Sequence, residues 1–165
     1  MDTFDCIATK LDSRQFSPQP VSSNILTMIL DAARLTGSGL NSQHWRFIVI
    51  RKQDNLKRLA QDSTSGAWVE GANFAVIVLT NPEFGFHLID AGRVSQSMQL
   101  AAWNKGIASG IYTGVKEEKL RSDFKIPSYL YISLILGFGY PKKPISGKGK
   151  NRLPLEELVY EEVYG

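Results

Sequence analysis

The sequence is poor in the residues that build disulfides and metal sites. Cys6 is its single cysteine, so no disulfide can form within the chain, and this usage suits a reducing compartment. The two histidines, His44 and His87, have no neighbour at the spacing of metal ligands. We therefore expect a cytoplasmic protein that holds no metal.

Long hydrophobic runs are also missing. The apolar run Phe74–Leu79 is far shorter than the roughly 20 residues needed to cross a bilayer, and no apolar segment follows the acidic start at Met1–Asp5. We therefore expect neither a membrane partner nor a secretory signal. The 165 residues, 43% of them hydrophobic and 21% charged, are typical of one globular domain, which we predict over residues 1–165.

The common motifs of hydrolases and nucleotide-dependent enzymes are absent. The sequence contains no Gly-x-Ser-x-Gly, and neither histidine has an obvious acidic partner, which argues against a hydrolytic triad. Gly-x-Gly-x-x-Gly is missing, and the spacing of Gly147-Lys148-Gly149-Lys150 is not that of a phosphate-binding P-loop. We therefore expect neither a Rossmann dehydrogenase nor a phosphoryl-transfer enzyme.

The chain does contain a regular succession of helical and strand patterns. Apolar residues at helical spacing predict five helices, near residues 4–12, 23–36, 56–60, 90–104 and 116–124. Alternating or continuous apolar runs predict four strands, near residues 45–51, 73–80, 107–112 and 129–138. Trp45, on the first of these strands, is predicted to be buried. The order of elements favours an α/β or α+β fold in which helices sandwich a sheet.

Three groups of residues suit a cofactor that brings its own chemistry. The turns Gly37–Asn41 and Gly110–Gly114 offer backbone N–H groups to a flat ligand. Each group alone is also compatible with a solvated surface or an ordinary turn, and their occurrence together favours a binding site. The third group consists of cations from both ends of the chain, suited to a phosphate and an electron-rich ring edge: Lys10, Arg14, Lys150 and Arg152.

A basic stretch toward the C-terminal end allows other interpretations. Residues 142–152 contain five cations and no acidic residue, and four glutamates follow within residues 156–162. This stretch could be a solvated loop, a phosphate site or a nucleic-acid contact. We expect no nucleic-acid partner, because no helix-turn-helix or aromatic RNA-binding pattern accompanies the stretch and the acidic tail opposes such binding.

Several segments, in the same order as in one known family, carry a resemblance. Lys10–Phe16 loosely matches an opening Arg-Arg-Ser-x-Arg-x-Phe signature, and Asp90–Ala102 resembles a central helix that begins with Asp and runs into Leu-Ala-Ala. Leu136–Pro141 and Lys150–Pro154 resemble a closing Leu-Gly-Tyr-Pro and Lys-x-Arg-x-Pro. The most specific segment, similar to Ala-Pro-Ser-x-x-Asn-x-Gln-Pro-Trp-x-Phe, is Thr36-Gly37-Ser38-Gly39-Leu40-Asn41-Ser42-Gln43-His44-Trp45-Arg46-Phe47. The chain thus resembles the nitroreductase family, which are FMN-dependent homodimeric flavoproteins.

The resemblance implies an α+β fold with a mainly antiparallel sheet sandwiched by helices. It also implies a homodimer that binds FMN, takes a hydride from NADH or NADPH at the flavin N5 atom, and passes it to a small conjugated acceptor such as a nitroaromatic or quinone. No side chain is assigned as catalytic, because solvent can supply the proton; His44 and Tyr112 are interpreted as packing groups. The alternative function is a flavin-binding protein without turnover, which carries or senses FMN.

The resemblance further implies a role for each matched residue. Arg14 would lie at the pyrimidine edge of the flavin, where its charge stabilises the anionic reduced ring. The FMN phosphate would be held by three cations, Lys10, Lys150 and Arg152. The flavin of the other subunit would be contacted by Ser38, Gly39 and Asn41. The other face of the flavin, with a backbone N–H near N5, would be lined by Ile111, Tyr112, Thr113 and Gly114.

The sequence departs from the family pattern at several positions. Asp12 stands where the family has a serine, and its carboxylate would repel a phosphate unless it turns to the ribityl hydroxyls. We place Asp12 among the cofactor-binding residues on that basis. The connections at residues 56–72 and 84–87 are short, which implies either a more open site than in longer members of the family or an incomplete one.

Overall fold

The computed structural model describes residues 1–145 and 150–165, which form five helices and a four-stranded sheet. The helices are α1 (Thr3–Thr9), α2 (Ser23–Arg34), α3 (Gln53–Gln61), α4 (His87–Trp103) and α5 (Glu117–Phe124). The strands are β1 (Arg46–Ile50), β2 (Phe74–Thr80), β3 (Ala108–Tyr112) and β4 (Tyr131–Gly139). The helices and strands predicted from the sequence are confirmed, with ends shifted by a few residues. Part of the segment compared above with a P-loop lies outside the described residues, namely Gly147, Lys148 and Gly149.

All neighbouring strands in the sheet are antiparallel, in the order β1-β2-β4-β3. The central strands β2 and β4 pair over most of their length, for example Val76 with Leu136. Every residue of β2 is buried, because helices cover both faces of the strand. This arrangement confirms an α+β fold with an antiparallel sheet sandwiched by helices.

The alternation of side chains along the strands creates one hydrophobic core on each face of the sheet. On one face the strands pack against α3, α5 and the 3₁₀ turn Ala67–Gly71, with Leu59 fully buried among them. On the other face they pack against α2 and α4, through side chains such as Ile29 and Met98. Trp45 belongs to this second core with 6% of its surface exposed, so its predicted burial is confirmed.

The first helix ends earlier than predicted, and the chain that follows it covers the outer edge of β3. Lys10 caps α1 with an extended ψ angle of 125°, which takes the backbone out of the helix. Asp12 then pairs with Ser109 in a parallel bridge, and the Ser13 N–H donates to the Ser109 carbonyl at 2.8 Å. These contacts satisfy part of an exposed sheet edge and fix the direction of the chain beside β3.

The described part of the chain offers neither a membrane-crossing helix nor a metal cluster. α4 is the longest of the described helices at 17 residues, and none of them is long and apolar enough to cross a bilayer. The residues described also include no group of three or more His, Cys, Asp or Glu side chains that could hold a metal ion.

Candidate functional site

The segment Lys10–Arg14 lies along the outer edge of β3. Because the bridge between Asp12 and Ser109 is parallel, the segment runs toward the C-terminal end of β3. Lys10 Nζ forms an ion pair with Asp12 Oδ1, and Arg14 is exposed further along. The segment therefore carries one cation that is paired with Asp12 and only 12% exposed, Lys10, and one exposed cation four positions later, Arg14. A cleft of about 760 Å³ opens beside it, lined by residues 11–15 and 143–145.

The carboxylate of Asp12 is shared between two donors. Its Oδ1 atom accepts from Lys10 Nζ and, at 3.2 Å, from Gln99 Nε2. Gln99 Nε2 also lies 3.1 Å from Ser109 Oγ, so this buried amide joins α4 to β3 and to the segment beside it. Lys10 therefore compensates the negative charge that was expected to oppose a phosphate. The sequence analysis did not identify Gln99. The signal that could have identified it is a polar residue four positions after Ser95, on the buried face of α4.

The C-terminal part of the chain returns to the first helix. Lys150 Nζ donates a hydrogen bond to the carbonyl of Ile7, in the last turn of α1, which is the helix that Lys10 caps. The structure thus brings Lys150 to the end of α1 that carries Lys10. Arg152 is exposed and its Nη1 donates to the carbonyl of Asn151 at 2.7 Å. Within residues 1–145 and 150–165, no hydrogen bond or ion pair joins Arg152 to Lys10.

The predicted turn Gly110–Gly114 is wrong in its first three residues, which belong to β3; Thr113 and Gly114 follow the strand, against a loop that sequence reasoning did not identify. Thr113 is exposed, and the Thr64 N–H donates to the carbonyl of Gly114 at 2.8 Å. A Cβ atom added to Gly114 would lie 2.5 Å from both Thr64 Oγ1 and Ser65 Oγ, so glycine lets the two segments approach this closely. Two hydroxyl groups therefore flank the turn. No motif marks Thr64 and Ser65, because the contact joins segments about 50 positions apart. On β3, before the turn, Ile111 is partly buried.

Tyr112, the last residue of β3, is buried in the core on the α3 side of the sheet. Its ring packs edge-on against Trp68, with the ring centroids 5.6 Å apart. Burial first, and the charge of Asp62 second, raise the pKa of Tyr112 well above its ordinary value, so the phenol stays neutral. Asp62 is itself fully buried and pairs with Lys119, which raises the pKa of Lys119. These surroundings agree with the interpretation of Tyr112 as a packing group.

The turn that contains Ser38, Gly39 and Asn41 lies at the N-terminal end of α4. The Gly39 N–H donates to Asp90 Oδ2 at 3.0 Å. A Cβ atom added to Gly39 would lie 2.5 Å from the ring of Phe86, so the close approach of turn and ring requires a glycine. Asn41 is exposed and Ser38 partly exposed, so this turn presents polar groups at the surface.

One prediction made from the sequence is wrong, because His44 does have an acidic partner. His44 Nε2 lies 3.2 Å from Asp90 Oδ2, and both side chains are buried. His44 Nδ1 accepts from the Asn81 N–H at 3.3 Å, which leaves the ring proton on Nε2. Both ring nitrogens are therefore occupied, and neither is left to activate a nucleophile. Motifs could not identify this pair, because His44 and Asp90 are 46 positions apart in the sequence.

The predicted cofactor residues fall into two groups along α4. The Lys10 segment contacts α4 at Gln99, whereas the Gly39 turn contacts it at Asp90, nine residues earlier. At 1.5 Å per helical residue, these two contacts are about 14 Å apart. The group beside β3 consists of Lys10, Asp12, Arg14 and Lys150, with Ile111, Tyr112, Thr113 and Gly114 on and after the strand. The group at the start of α4 consists of Ser38, Gly39 and Asn41.

Comparison with known proteins identifies relatives in both sequence and structure. The profile described as "Nitroreductase family" matches residues 7–83 and 70–140. A protein of Archaeoglobus fulgidus, named as a candidate NADH dehydrogenase/NAD(P)H nitroreductase, is 30% identical over 145 residues, which cover 82% of this chain and 83% of that protein. A crystal structure of a nitroreductase family protein from Clostridium difficile has a TM-score of 0.89 at 26% identity, covering 99% of this chain and 100% of that one.

A second solved structure carries a ligand. It is a candidate nitroreductase of Desulfovibrio desulfuricans in complex with FMN, and it has a TM-score of 0.87 at 26% identity, covering 100% of this chain and 99% of that one. The profile match spans most of the chain, and the archaeal relative reaches 30% identity over four-fifths of both proteins. The chain therefore belongs to the nitroreductase family.

Proposed function

We propose that the protein is an oxidoreductase that uses FMN as its cofactor, NADH or NADPH as its electron donor, and a small conjugated molecule such as a nitroaromatic or quinone as its acceptor. The observation that carries this proposal is the cationic segment Lys10–Arg14, which runs parallel to β3 toward the turn at Gly114. Family membership supports it, as do the relative named for NAD(P)H nitroreductase activity and the relative solved with FMN. Bound FMN would supply the redox chemistry, because its ring system can accept a hydride and pass it to a second molecule.

The charged groups at the start of this path fit a phosphate. Lys10 and Lys150 both lie at the end of α1 and supply two ammonium groups, and we assign Arg152 to the same group. Lys10 also neutralises Asp12, so the carboxylate of Asp12 can accept hydrogen bonds from ribityl hydroxyls with less repulsion of the phosphate. We therefore assign the phosphate to the end near α1 and the ring system to a position further along β3.

We assign the flavin ring to the far end of the path, near Thr113 and Gly114. Arg14 would lie at the pyrimidine edge, where a fixed positive charge stabilises the negative charge of a reduced ring. A backbone N–H of the turn would face the reactive edge of the ring, and the hydroxyls of Thr64 and Ser65, which crowd Gly114, can add hydrogen bonds there. No side chain is assigned as a proton donor, since solvent can supply the proton. The remaining residues assigned to this wall are Ile111 and Tyr112.

We further propose that the functional unit is a homodimer in which the Gly39 turn of one subunit reaches the flavin of its partner. The family resemblance implies this contact in trans; within one chain the turn contacts α4 about 14 Å from the point where the Lys10 segment contacts it. The surface around the turn is also apolar, since Leu40 is 89% exposed and Ile89 is 67% exposed. Burial of these side chains against a second copy would be favourable. The turn residues assigned to the flavin are Ser38, Gly39 and Asn41.

We also propose that residues 1–165 act as one FMN-binding domain in the cytoplasm. A single sheet carries both hydrophobic cores, and Cys6 is buried and forms no disulfide. No nucleic-acid or membrane contact is part of the proposed function.

The visible spectrum of the purified protein tests the assignment of the cofactor. We expect flavin absorbance that co-purifies with the chain, or that appears on reconstitution with FMN. Anaerobic addition of NADH or NADPH should bleach it, and a nitroaromatic or quinone should restore the colour. A chain that takes up no FMN under any of these conditions would contradict the proposal.

The second candidate function is a flavin-binding protein without turnover, and the short connections near the site favour it. Between α3 and β2 the structure has the single 3₁₀ turn Ala67–Gly71, and six residues separate β2 from α4. Little chain is therefore present to enclose a nucleotide or an acceptor. Such a protein would be yellow, but neither NADH nor NADPH would reduce it, so the anaerobic titration separates the two functions.

A further inference from the structure

The turn at residues 38–43 is held in a conformation that its residues do not favour. Leu40, Asn41 and Gln43 all have positive φ angles, of 53°, 51° and 46°. Left-handed backbone is uncommon for residues other than glycine, and for a bulky residue such as leucine it is an outlier. The side chain of Leu40 is almost fully exposed, so its own packing does not hold it there. Contacts elsewhere in the turn must therefore impose the conformation.

Asp90 makes several of these contacts from inside the protein, where 1% of its surface is exposed; within the turn, Ser38 Oγ also accepts from the Gln43 N–H at 3.0 Å. Its Oδ2 atom accepts from the Gly39 N–H at 3.0 Å and from His44 Nε2 at 3.2 Å, so one carboxylate oxygen holds both ends of the turn. Its Oδ1 atom accepts from Arg93 Nη1 at 3.2 Å. Arg93 also lies against Gly37, since a Cβ atom added to Gly37 would be 2.8 Å from Arg93 Nη2. Three donors that form or brace the turn therefore converge on one buried carboxylate.

His44 has no freedom to replace this acceptor with another. Its Nδ1 atom already accepts from the Asn81 N–H, so the Nε2 proton is directed at Asp90. The imidazole also stacks on Phe84, with the ring centroids 5.1 Å apart and an interplanar angle of 25°, which fixes its plane. An ionised carboxylate can receive all three donors because both of its oxygens only accept. A neutral amide at the same place would direct its NH₂ group at one of the donors.

We infer that Asp90 is a positioning residue for the cofactor, because it sets the turn at residues 38–43 in the shape that meets the flavin of the partner subunit. This inference rests on the proposed function. Asp90 makes no assigned contact with FMN and acts through Gly39 and His44. Loss of its charge should therefore loosen the turn before it loosens β2, whose residues are paired on both sides in the centre of the sheet.

Asp90→Asn tests the inference, since it keeps the shape of the side chain and replaces one acceptor oxygen with a donor. Asp31→Asn is the matched control, because Asp31 pairs with Arg34 on the exposed side of α2. Hydrogen exchange of residues 38–44 is compared with that of β2 in the full chain, with and without FMN. FMN affinity is measured by flavin fluorescence at a temperature where each variant is folded. We expect Asp90→Asn to exchange roughly tenfold faster in the turn and to bind FMN roughly tenfold more weakly, the effect of one charge-assisted hydrogen bond.

The outcomes separate this inference from the proposed function. A folded Asp90→Asn variant with unchanged FMN affinity overturns the inference, even if the turn exchanges faster. If Asp90→Asn does not fold, Arg93→Ala is the second variant; Arg93 is half exposed, and smaller changes of the same kind are expected. A wild-type chain that binds no FMN contradicts the proposed function. The role of Asp90 in setting the turn is then tested by the hydrogen-exchange rate of residues 38–44 alone, and an unchanged rate in Asp90→Asn contradicts that role.

Discussion

Gly110 on β3 lies opposite Gly137 on β4, and the ring of Trp68 packs against both of them. A Cβ atom added to either glycine would lie 2.7 Å from a carbon atom of the Trp68 ring. Neither glycine has a left-handed φ angle, so both are needed for space rather than for backbone freedom. The glycine pair thereby lets a large aromatic side chain approach the sheet beside Tyr112.

Gly137→Ala should lower the free energy of unfolding by about 1–3 kcal/mol, because the new methyl group overpacks the space that Trp68 occupies. Urea unfolding measures the change. Gly71→Ala is the control, since an added Cβ atom there meets nothing within 4 Å and should change stability little. In the double variant Gly137→Ala with Trp68→Leu, the loss should be smaller than the sum of the two single losses. Strict additivity would show that the ring and the glycine do not share this space.

The helices and strands could be predicted because their signals are local. Ser22, directly before the predicted helix, caps α2, with its Oγ atom accepting from the Ile25 N–H at 3.4 Å. The alternation along β1 divides Phe47 and Ile48 between the two cores, as the sequence pattern predicts. The antiparallel order of the strands could not be derived from the residues alone, since pairs such as Ala108 with Gly139 depend on how the whole sheet packs. That part of the prediction came from the family resemblance.

The candidate site could be predicted only in part, for the same reason. Lys10 and Arg14 belong to a loosely matched motif, and the segment that carries them does run beside β3. Gln99 contacts Asp12, which is 87 positions away in the sequence, and Thr64 contacts Gly114, which is about 50 positions away. Neither Gln99 nor Thr64 belongs to a motif. Residue type and spacing carry no information about contacts that the packing of distant segments creates.

Removal of a cation from the proposed phosphate group should weaken FMN binding. Arg152→Ala removes one charge-assisted hydrogen bond, of about 1.5–3 kcal/mol, which corresponds to an increase of about 10- to 150-fold in the dissociation constant. Lys10→Ala should weaken binding at least as much, because it also leaves the carboxylate of Asp12 without its cation beside the phosphate. Lys57→Ala removes an exposed cation from α3 and should leave the affinity unchanged. Fluorescence titration of the FMN-free chain measures all three. Tight retention of FMN by Arg152→Ala would remove Arg152 from the phosphate group.

A charge in the apolar surface near the Gly39 turn should prevent dimer formation. Ile89→Glu would bury a carboxylate without a partner if two copies associated through this surface, which is strongly unfavourable. Analytical ultracentrifugation should therefore detect monomers, and the same sample should fail to retain FMN while its circular dichroism stays native. Tyr129→Glu is the control, because Tyr129 is 68% exposed just before β4 and lies on no proposed interface. A dimer that persists in Ile89→Glu would exclude this surface as the subunit contact.

Tyr112 should make stability depend on pH in the alkaline range. The wild-type phenol is buried, and its pKa is raised first by that burial and second by Asp62, whereas an unfolded tyrosine titrates near pH 10. Above about pH 10 the unfolded state therefore releases a proton that the folded state keeps, and the free energy of unfolding falls by about 1.4 kcal/mol per pH unit from this group.

Tyr112→Phe removes this contribution. It also removes a buried hydroxyl that has no hydrogen-bond partner in the described part of the chain, so the variant should be at least as stable as wild type at pH 7. The stability difference between variant and wild type should be constant below pH 9 and should grow in favour of the variant above pH 10, as measured by urea unfolding at each pH. Tyr164→Phe is the control, because Tyr164 is 88% exposed and its hydroxyl stays in water in both states. A difference that stays constant up to pH 11.5 would mean that the Tyr112 hydroxyl reaches water in the folded protein.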